Sequence, residues 1–385
     1  MRTLIKNCFI YDNKSRKAEP LDMLCENGNI VTVAKRGELD GNGADVIDAC
    51  GATLIPGFID VHTHGRSGYD FVSCDGEALH VMAKDYAKCG VTTVMPTLAS
   101  APYDKMLDAA RAVGEFSPAD DEASYCGVHF EGRFLNAKKR GAHAEELLAP
   151  LDASELDSPV LKALPALHIS AAYELDVDAS FMRAAKKIGA TMGLGHTNAT
   201  FLEARRAESE GVTAFTHLYN AMPALHHREG GAICASLTGD SYAELICDGI
   251  HIAPEMVKLA YMCKRERLAL ISDSMEATGC ADGEYSIAGL PVTVKDGKAL
   301  NSEGVLAGST LTLDRAVQNL ADFCKIPLGD AIICATEAPA REMGIFDSCG
   351  SLEAGKRADV LFVDTEKMNG GILEIEKIML RGRLI

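Results

Sequence analysis

No stretch of this chain stays apolar for the length a membrane span requires. Its opening, "MRTLIKNCFIYDNKSRK", sets charges on both sides of a short apolar run and lacks the hydrophobic segment of a secretion signal, so the expected location is cytoplasmic. Net positive charge is missing as well. Against 38 Lys and Arg stand 55 Asp and Glu, a formal net charge of −17 at pH 7. That balance argues against nucleic acid and anionic membrane as partners, since neither attracts an acidic surface. An anionic substrate would have to be caught by a local cluster of cations. Close pairs of cysteine are also absent. The 13 cysteines stand singly, with no C-x-x-C, and read as reduced, mostly buried thiols instead of bridges or ligands. There is no Walker loop, tandem repeat, low-complexity tract or long linker.

What is present is a soluble-type composition, 47% hydrophobic and 24% charged, in a chain long enough at 385 residues to bury a large core. From residue 54 onward, short apolar or β-branched runs alternate with helical stretches. The runs are "TLIPGFIDVHTH", "VTTVMPTL", "SYCGVHFEG", "ALHISAAYE", "ATMGLGHTN", "VTAFTHLYNA", "AELICDGIH" and "RLALISDS". Segments such as "EALHVMAKDYAKCG" and "PEMVKLAYMCK" lie between them. Eight strands alternating with helices predict an α/β fold, a closed (β/α)8 TIM-type barrel over residues 54–344. The two ends differ. Residues 1–53 and 345–385 hold strand-like runs broken by Asn-Gly and Gly-Asn turns, and neither is long enough for a core alone. They are expected to pair into one small β-sandwich domain.

In "PGFIDVHTHG", His62 and His64 stand one residue apart where an apolar run ends. In a strand, residues i and i+2 share a face, so the two rings converge, as a metal site or a polar strand end would both have it. The other strand ends bring Glu131, His196, His217 and Asp273, with Asp248 and His251 after strand seven. Strands two and four look chemically quiet. Taken singly, His196 is a turn residue and Asp273 a helix N-cap. Taken together at the C-terminal mouth of a barrel, where such folds carry their chemistry, they are ligands for a divalent transition metal. His80, His129 and His168 lie on a helix or inside apolar strands and read as satisfied structural histidines.

With "HFEGRFLN", "GLGHTNAT", "THLYNAM", "HHREGG", "DGIH", "SDSMEATG", "AGST" and "GSLEAGKRADVLFVD" added, the chain resembles the amidohydrolase superfamily along nearly its whole length. Within it, the closest pattern is the branch that deacetylates phosphorylated amino sugars. The resemblance implies a small phosphorylated amino-sugar substrate and a divalent metal, one or two per subunit: Zn first, with Fe, Mn or Co as alternatives. Glu131, His196 and His217 would hold one metal, and His62 and His64 a second, bridged through Glu131. Asp273 would act as general base and then acid, and His143 would polarise the acetyl carbonyl. Asn220, Ala221, Arg228 and His251 would hold the sugar phosphate, Arg228 by the planar fork that suits phosphate oxygens. Leu306, Ala307 and Gly308 would close over the sugar, with Ser309 also placed to cap the next helix. A homodimer is implied, with phosphate contacts crossing its interface. Two positions depart from the pattern: Arg133 stands where proline follows "EG", and Tyr173 where strand four has a proline-bearing motif. Strand four offers no lysine of the kind that bridges metals elsewhere in the superfamily. The rival expectations are another hydrolase of the superfamily and a catalytically inactive barrel acting as a sensor.

Overall fold

The run "TLIPGFIDVHTH" is two strands, and Gly57 separates them. Thr53–Pro56 belongs to a small sheet and Phe58–Thr63 to the barrel. In the computed structural model, which describes residues 1–385, a Cβ on Gly57 would lie 2.2 Å from the Thr92 hydroxyl oxygen. Only glycine lets the chain pass so close at the crossing.

The barrel strands are Phe58–Thr63, Val91–Ala99, Val128–Glu131, Leu167–Ala171, Thr191–Leu194, Ala214–Phe215, Tyr242–Ile246 and Leu268–Ile271. Each pairs in parallel with the next. Every residue of Val91–Ala99 is buried, as expected where one face meets the barrel interior and the other a layer of helices. Strand eight meets strand one only at the mouth, where Asp273 N donates to His62 O at 2.9 Å and His64 N to Ser274 O at 2.7 Å. Lower down the two strands part. There Leu270 N donates to Cys334 O and Ile59 N to Ala335 O, so the turn after helix Leu328–Ile333 fills the gap.

The periodic segments form helices Gly76–Lys88, Tyr103–Gly114, Ser180–Lys187, Phe201–Glu210, Pro254–Lys264 and Leu313–Cys324. Ser309 does not cap the last of these. The helix begins after Thr312, and the Ser309 hydroxyl instead donates to Ser272 O at 2.6 Å, because residues 306–309 run beside strand eight. Between strands three and four the crossover holds only 3₁₀ turns and the short helix Pro159–Ala163. An antiparallel meander, Gly283–Ile287, Leu290–Lys295 and Lys298–Asn301, rises from the mouth after strand eight. No run in the sequence was read as this meander.

The terminal segments share one continuous sheet. Arg2–Asp12 is its long strand, and its register slips between Ile5 and Cys8, where Asn7 has φ +55°. On either side of that bend it pairs with Asp45–Asp48 and with Thr53–Pro56, and Val360–Val363 pairs with Thr53–Pro56 in turn. The sheet folds over a separate core containing Ile5, Met23, Leu54, Val360 and Phe362. The Asn27–Gly28 turn has φ +50° and +85°, the left-handed pair that a two-residue hairpin demands. None of the cysteines is bridged; Cys50, Cys263 and Cys280 are exposed. No helix is long and apolar enough to cross a membrane.

Candidate active site and metal centre

The strand ends turn sharply, and the chain turns with them: His196, His217 and Asp273 have φ of +46°, +32° and +49°. These are left-handed conformations that non-glycine residues rarely hold unless the surroundings enforce them. Each turn swings its side chain inward over the barrel axis. Glu131, at the end of strand three, is where they meet. Its Oε1 lies 2.8 Å from His217 Nε2 and 3.1 Å from His196 Nε2, and those two nitrogens are 3.0 Å apart. Its Oε2 lies 3.1 Å from His64 Nε2 and 3.4 Å from His62 Nε2. Asp273 Oδ1 faces the same pair, 3.2 Å from His64 and 3.5 Å from His62. One carboxylate thus spans two groups of imidazoles.

Hydrogen bonding decides which ring nitrogens hold protons. His196 Nδ1 is 2.9 Å from the Lys139 carbonyl oxygen, which can only accept, so the proton sits on Nδ1 and the Nε2 lone pair faces Glu131. His62 Nδ1 is likewise 2.9 Å from Glu244 Oε2, and its fully buried Nε2 has no hydrogen-bond partner. Lone pairs of nitrogen and carboxylate oxygen opposed at about 3 Å repel unless a proton or a metal ion lies between them. Separations of 2.8 to 3.1 Å approach the roughly 3.4 Å set by three bonds of 2.0–2.2 Å to one metal. The donor set therefore fits a divalent metal, and the Lys139 carbonyl and Glu244 already hold the far nitrogens of His196 and His62, as the partners of metal-binding imidazoles usually do. Burial disfavours charge on Glu131, yet His62, His196 and His217 hold its carboxyl well below the usual carboxylate range. Burial also works against Asp273, and His64 with His62 outweighs it, keeping that carboxyl below its ordinary value.

The centre opens into a cavity of about 420 Å³, within the range of small-molecule sites. His143 lines it, its Nε2 3.9 Å from Glu131 Oε2. Burial, and then the neighbouring His196, push the His143 pKa down to about 3, so the ring is neutral. Asn220, Ala221 and His251 form another wall. Asp248 accepts the His251 Nδ1–H at 2.6 Å and leaves Nε2 free. Leu306, Ala307 and Gly308 close the top together with Ile287, Ala288 and Leu290 of the meander. Arg228 is not brought here. It lies with Leu225, His226 and His227 in a separate surface cleft. The lining cations from this chain are instead Lys138 and Lys139, which the sequence did not single out. Glu244 was missed too, although a carboxylate inside the apolar run "AELIC" was a signal. His129 is satisfied by Thr97 and Ser170 inside the barrel. His80 pairs with Glu122. His168 bonds Thr191 through Nδ1 but leaves Nε2 unpartnered.

Both departures point away from the cavity. The Arg133 guanidinium lies over the Tyr103 ring, 4.8 Å from its centroid, and pairs with Glu155 at 3.2 Å. Tyr173 is fully buried, with its hydroxyl donating to Ile169 O.

Comparison with known proteins agrees with this geometry. The sequence profile of the amidohydrolase family matches residues 53–384. An N-acetylglucosamine-6-phosphate deacetylase from Vibrio furnissii is 34% identical over 98% of this chain and 95% of its own. An N-acetylgalactosamine-6-phosphate deacetylase from Escherichia coli O157:H7 is also 34% identical, over 86% of this chain and 87% of its own. Among solved structures, the N-acetylglucosamine-6-phosphate deacetylase of Pasteurella multocida superposes with a TM-score of 0.88 at 26% identity, covering 100% of both chains. A mutant of the Mycobacterium smegmatis enzyme in complex with N-acetyl-D-glucosamine-6-phosphate gives 0.86 at 26% identity, covering 100% of this chain and 98% of that one.

Proposed function

This chain belongs to the amidohydrolase family, and from that premise we propose that it hydrolyses N-acetylglucosamine 6-phosphate to glucosamine 6-phosphate and acetate. The observation that carries the proposal is Glu131 shared between His196 and His217 on one oxygen and His62 and His64 on the other. Asp273 stands in reach, at the floor of a cavity walled by Asn220, Ala221 and His251. Two imidazoles and a carboxylate suit zinc, with iron, manganese or cobalt also acceptable, at one or two ions per subunit. A divalent metal bound there supplies Lewis acidity to the acetyl carbonyl and lowers the pKa of water to about 7 in favourable sites.

The chain's own residues supply the rest. Asp273, ionised, takes a proton from the attacking water and delivers it to the amine nitrogen as the carbon–nitrogen bond breaks. His143, neutral and facing the cavity, donates a hydrogen bond to the carbonyl oxygen as negative charge grows there. Asn220, the Ala221 backbone and His251 hold the phosphate, and Leu306, Ala307 and Gly308 cover the sugar and limit water. Arg228, outside its own cavity, reaches a phosphate across a homodimer interface. The enzyme works in the cytoplasm. N-acetylgalactosamine 6-phosphate is the second reading, supported by the relative of that specificity at 34% identity.

Acetate release from both phosphosugars and from free N-acetylglucosamine, with metal content measured on the same sample, tests the proposal. Fast turnover of one phosphosugar and slow turnover of the free sugar is expected. A metal-loaded protein that hydrolyses none of them would return the chain to the sensor or another hydrolase of the family.

A further inference from the structure

Strand two ends in no obvious catalytic group, yet the residue after it, Ser100, is buried and lines the cavity. We propose that Ser100 is a positioning residue for the reaction, fixing His143 in the tautomer that presents Nε2–H to the acetyl carbonyl. The inference rests on the role given to His143 above.

Three hydrogen bonds make the case. The Ser100 backbone N–H donates to His143 Nδ1 at 3.3 Å. A backbone N–H can only donate, so Nδ1 must be the acceptor and the ring proton sits on Nε2. The Ser100 hydroxyl oxygen is 2.9 Å from the same Nδ1. That hydroxyl has one proton, and its oxygen already accepts the Arg133 backbone N–H at 3.0 Å. With Nδ1 already an acceptor and holding no proton to give, the hydroxyl's own proton is directed to it, giving that nitrogen two donors. The opposite tautomer would set an N–H against the Ser100 backbone N–H and turn a lone pair toward the carbonyl oxygen, repelling it.

The backbone is shaped for this relay. A Cβ on Gly132 would come within 2.4 Å of Ser100 N and 2.7 Å of its Oγ, so glycine is what allows strand three to approach closely enough. Arg133 then takes φ +66°, which aims its N–H at Ser100. A proline there has neither that φ nor an N–H to give. The arginine side chain, paired with Glu155, is held clear of the relay.

The test is a double-mutant cycle on the metal-loaded enzyme, with Ser100→Ala, His143→Ala and the pair, reading kcat, KM and metal content. Ser100→Ala is expected to lower kcat about tenfold, with KM within about twofold and metal retained, and to have no further effect once His143 is alanine. An equal Ser100→Ala loss in both backgrounds marks a merely structural serine and overturns the proposal. A damaging His143→Ala with a harmless Ser100→Ala overturns the relay and leaves the His143 role standing. A harmless His143→Ala overturns that role itself. Nitrogen NMR of the unsubstituted protein reads the tautomer without any variant: protonation of His143 on Nε2 is expected, and protonation on Nδ1 refutes the inference.

Discussion

Glu131 and Asp273 are both buried carboxylates beside imidazoles, and position separates their parts. Glu131 has both oxygens engaged with histidines on two sides; Asp273 meets only His62 and His64 and borders the cavity. Asp273→Asn keeps the shape and removes the proposed base. It should retain metal and fold while kcat falls by roughly a hundred- to ten-thousand-fold; full turnover in that variant ends the acid–base assignment. A second residue test lies outside the site. Lys264 donates to Ser236 O at 2.8 Å and Gly239 O at 3.1 Å, and burial pushes its pKa from 10.5 down to about 8. Between those values the unfolded chain holds a proton that the folded chain lacks, so this group's contribution to stability rises with pH across that window and is smallest below it. The Tm of the wild type minus that of Lys264→Met should therefore increase from about pH 8 to 10.5, and a flat difference would contradict the assignment. His62, His64, Glu131, His196, His217 and Asp273 were legible as residue types at strand ends. Ser100 was not, because its importance is a matter of what it touches.

The elements read from hydrophobic period are those whose period is enforced by packing. Helices such as Gly76–Lys88 and Leu313–Cys324 press an apolar face on the barrel, and the buried strands are nearly continuous apolar runs. The meander escaped because it packs only a small cluster around Met275, Ile287 and Val292 and carries no long apolar signal. It nevertheless closes the site. Its tip, Ala288 and Gly289 with φ +48° and +84°, is tied down where Asp70 Oδ2 accepts the Ala288 N–H at 2.8 Å. Asp70→Ala frees that tip. With a charge-assisted hydrogen bond contributing about 1.5–3 kcal/mol, KM should rise roughly tenfold while kcat stays within about twofold. Hydrogen exchange over residues 283–301 should quicken in parallel; unchanged KM would mean that the meander does not cover the substrate.

At the scale of the whole molecule, a chain of net charge −17 meets an anionic substrate only through local cations. Lys138 and Lys139 line the cavity itself, and Arg228 sits in a different cleft. If Arg228 serves a second copy of the chain, Arg228→Ala should raise KM for the phosphosugar by roughly tenfold or more and leave the free sugar unaffected. Sedimentation of the wild type should show a dimer. Equal turnover of the preferred substrate in that variant would favour another hydrolase of the family. The sequence by itself determined the alternation of strands and helices, the pairing of the two ends into a separate small β domain, and the residues able to bind a metal. Each follows from local period, turn chemistry or side-chain type, which a linear chain displays. Only the tertiary structure decided that one carboxylate is shared by four imidazoles, that Ser100 meets both Arg133 and His143, and that Arg228 lies outside its own cavity. The contacts among them join segments from 33 to 86 residues apart, and their geometry comes from the exact placing of the strand ends and from left-handed turns there, which the order of residues does not display.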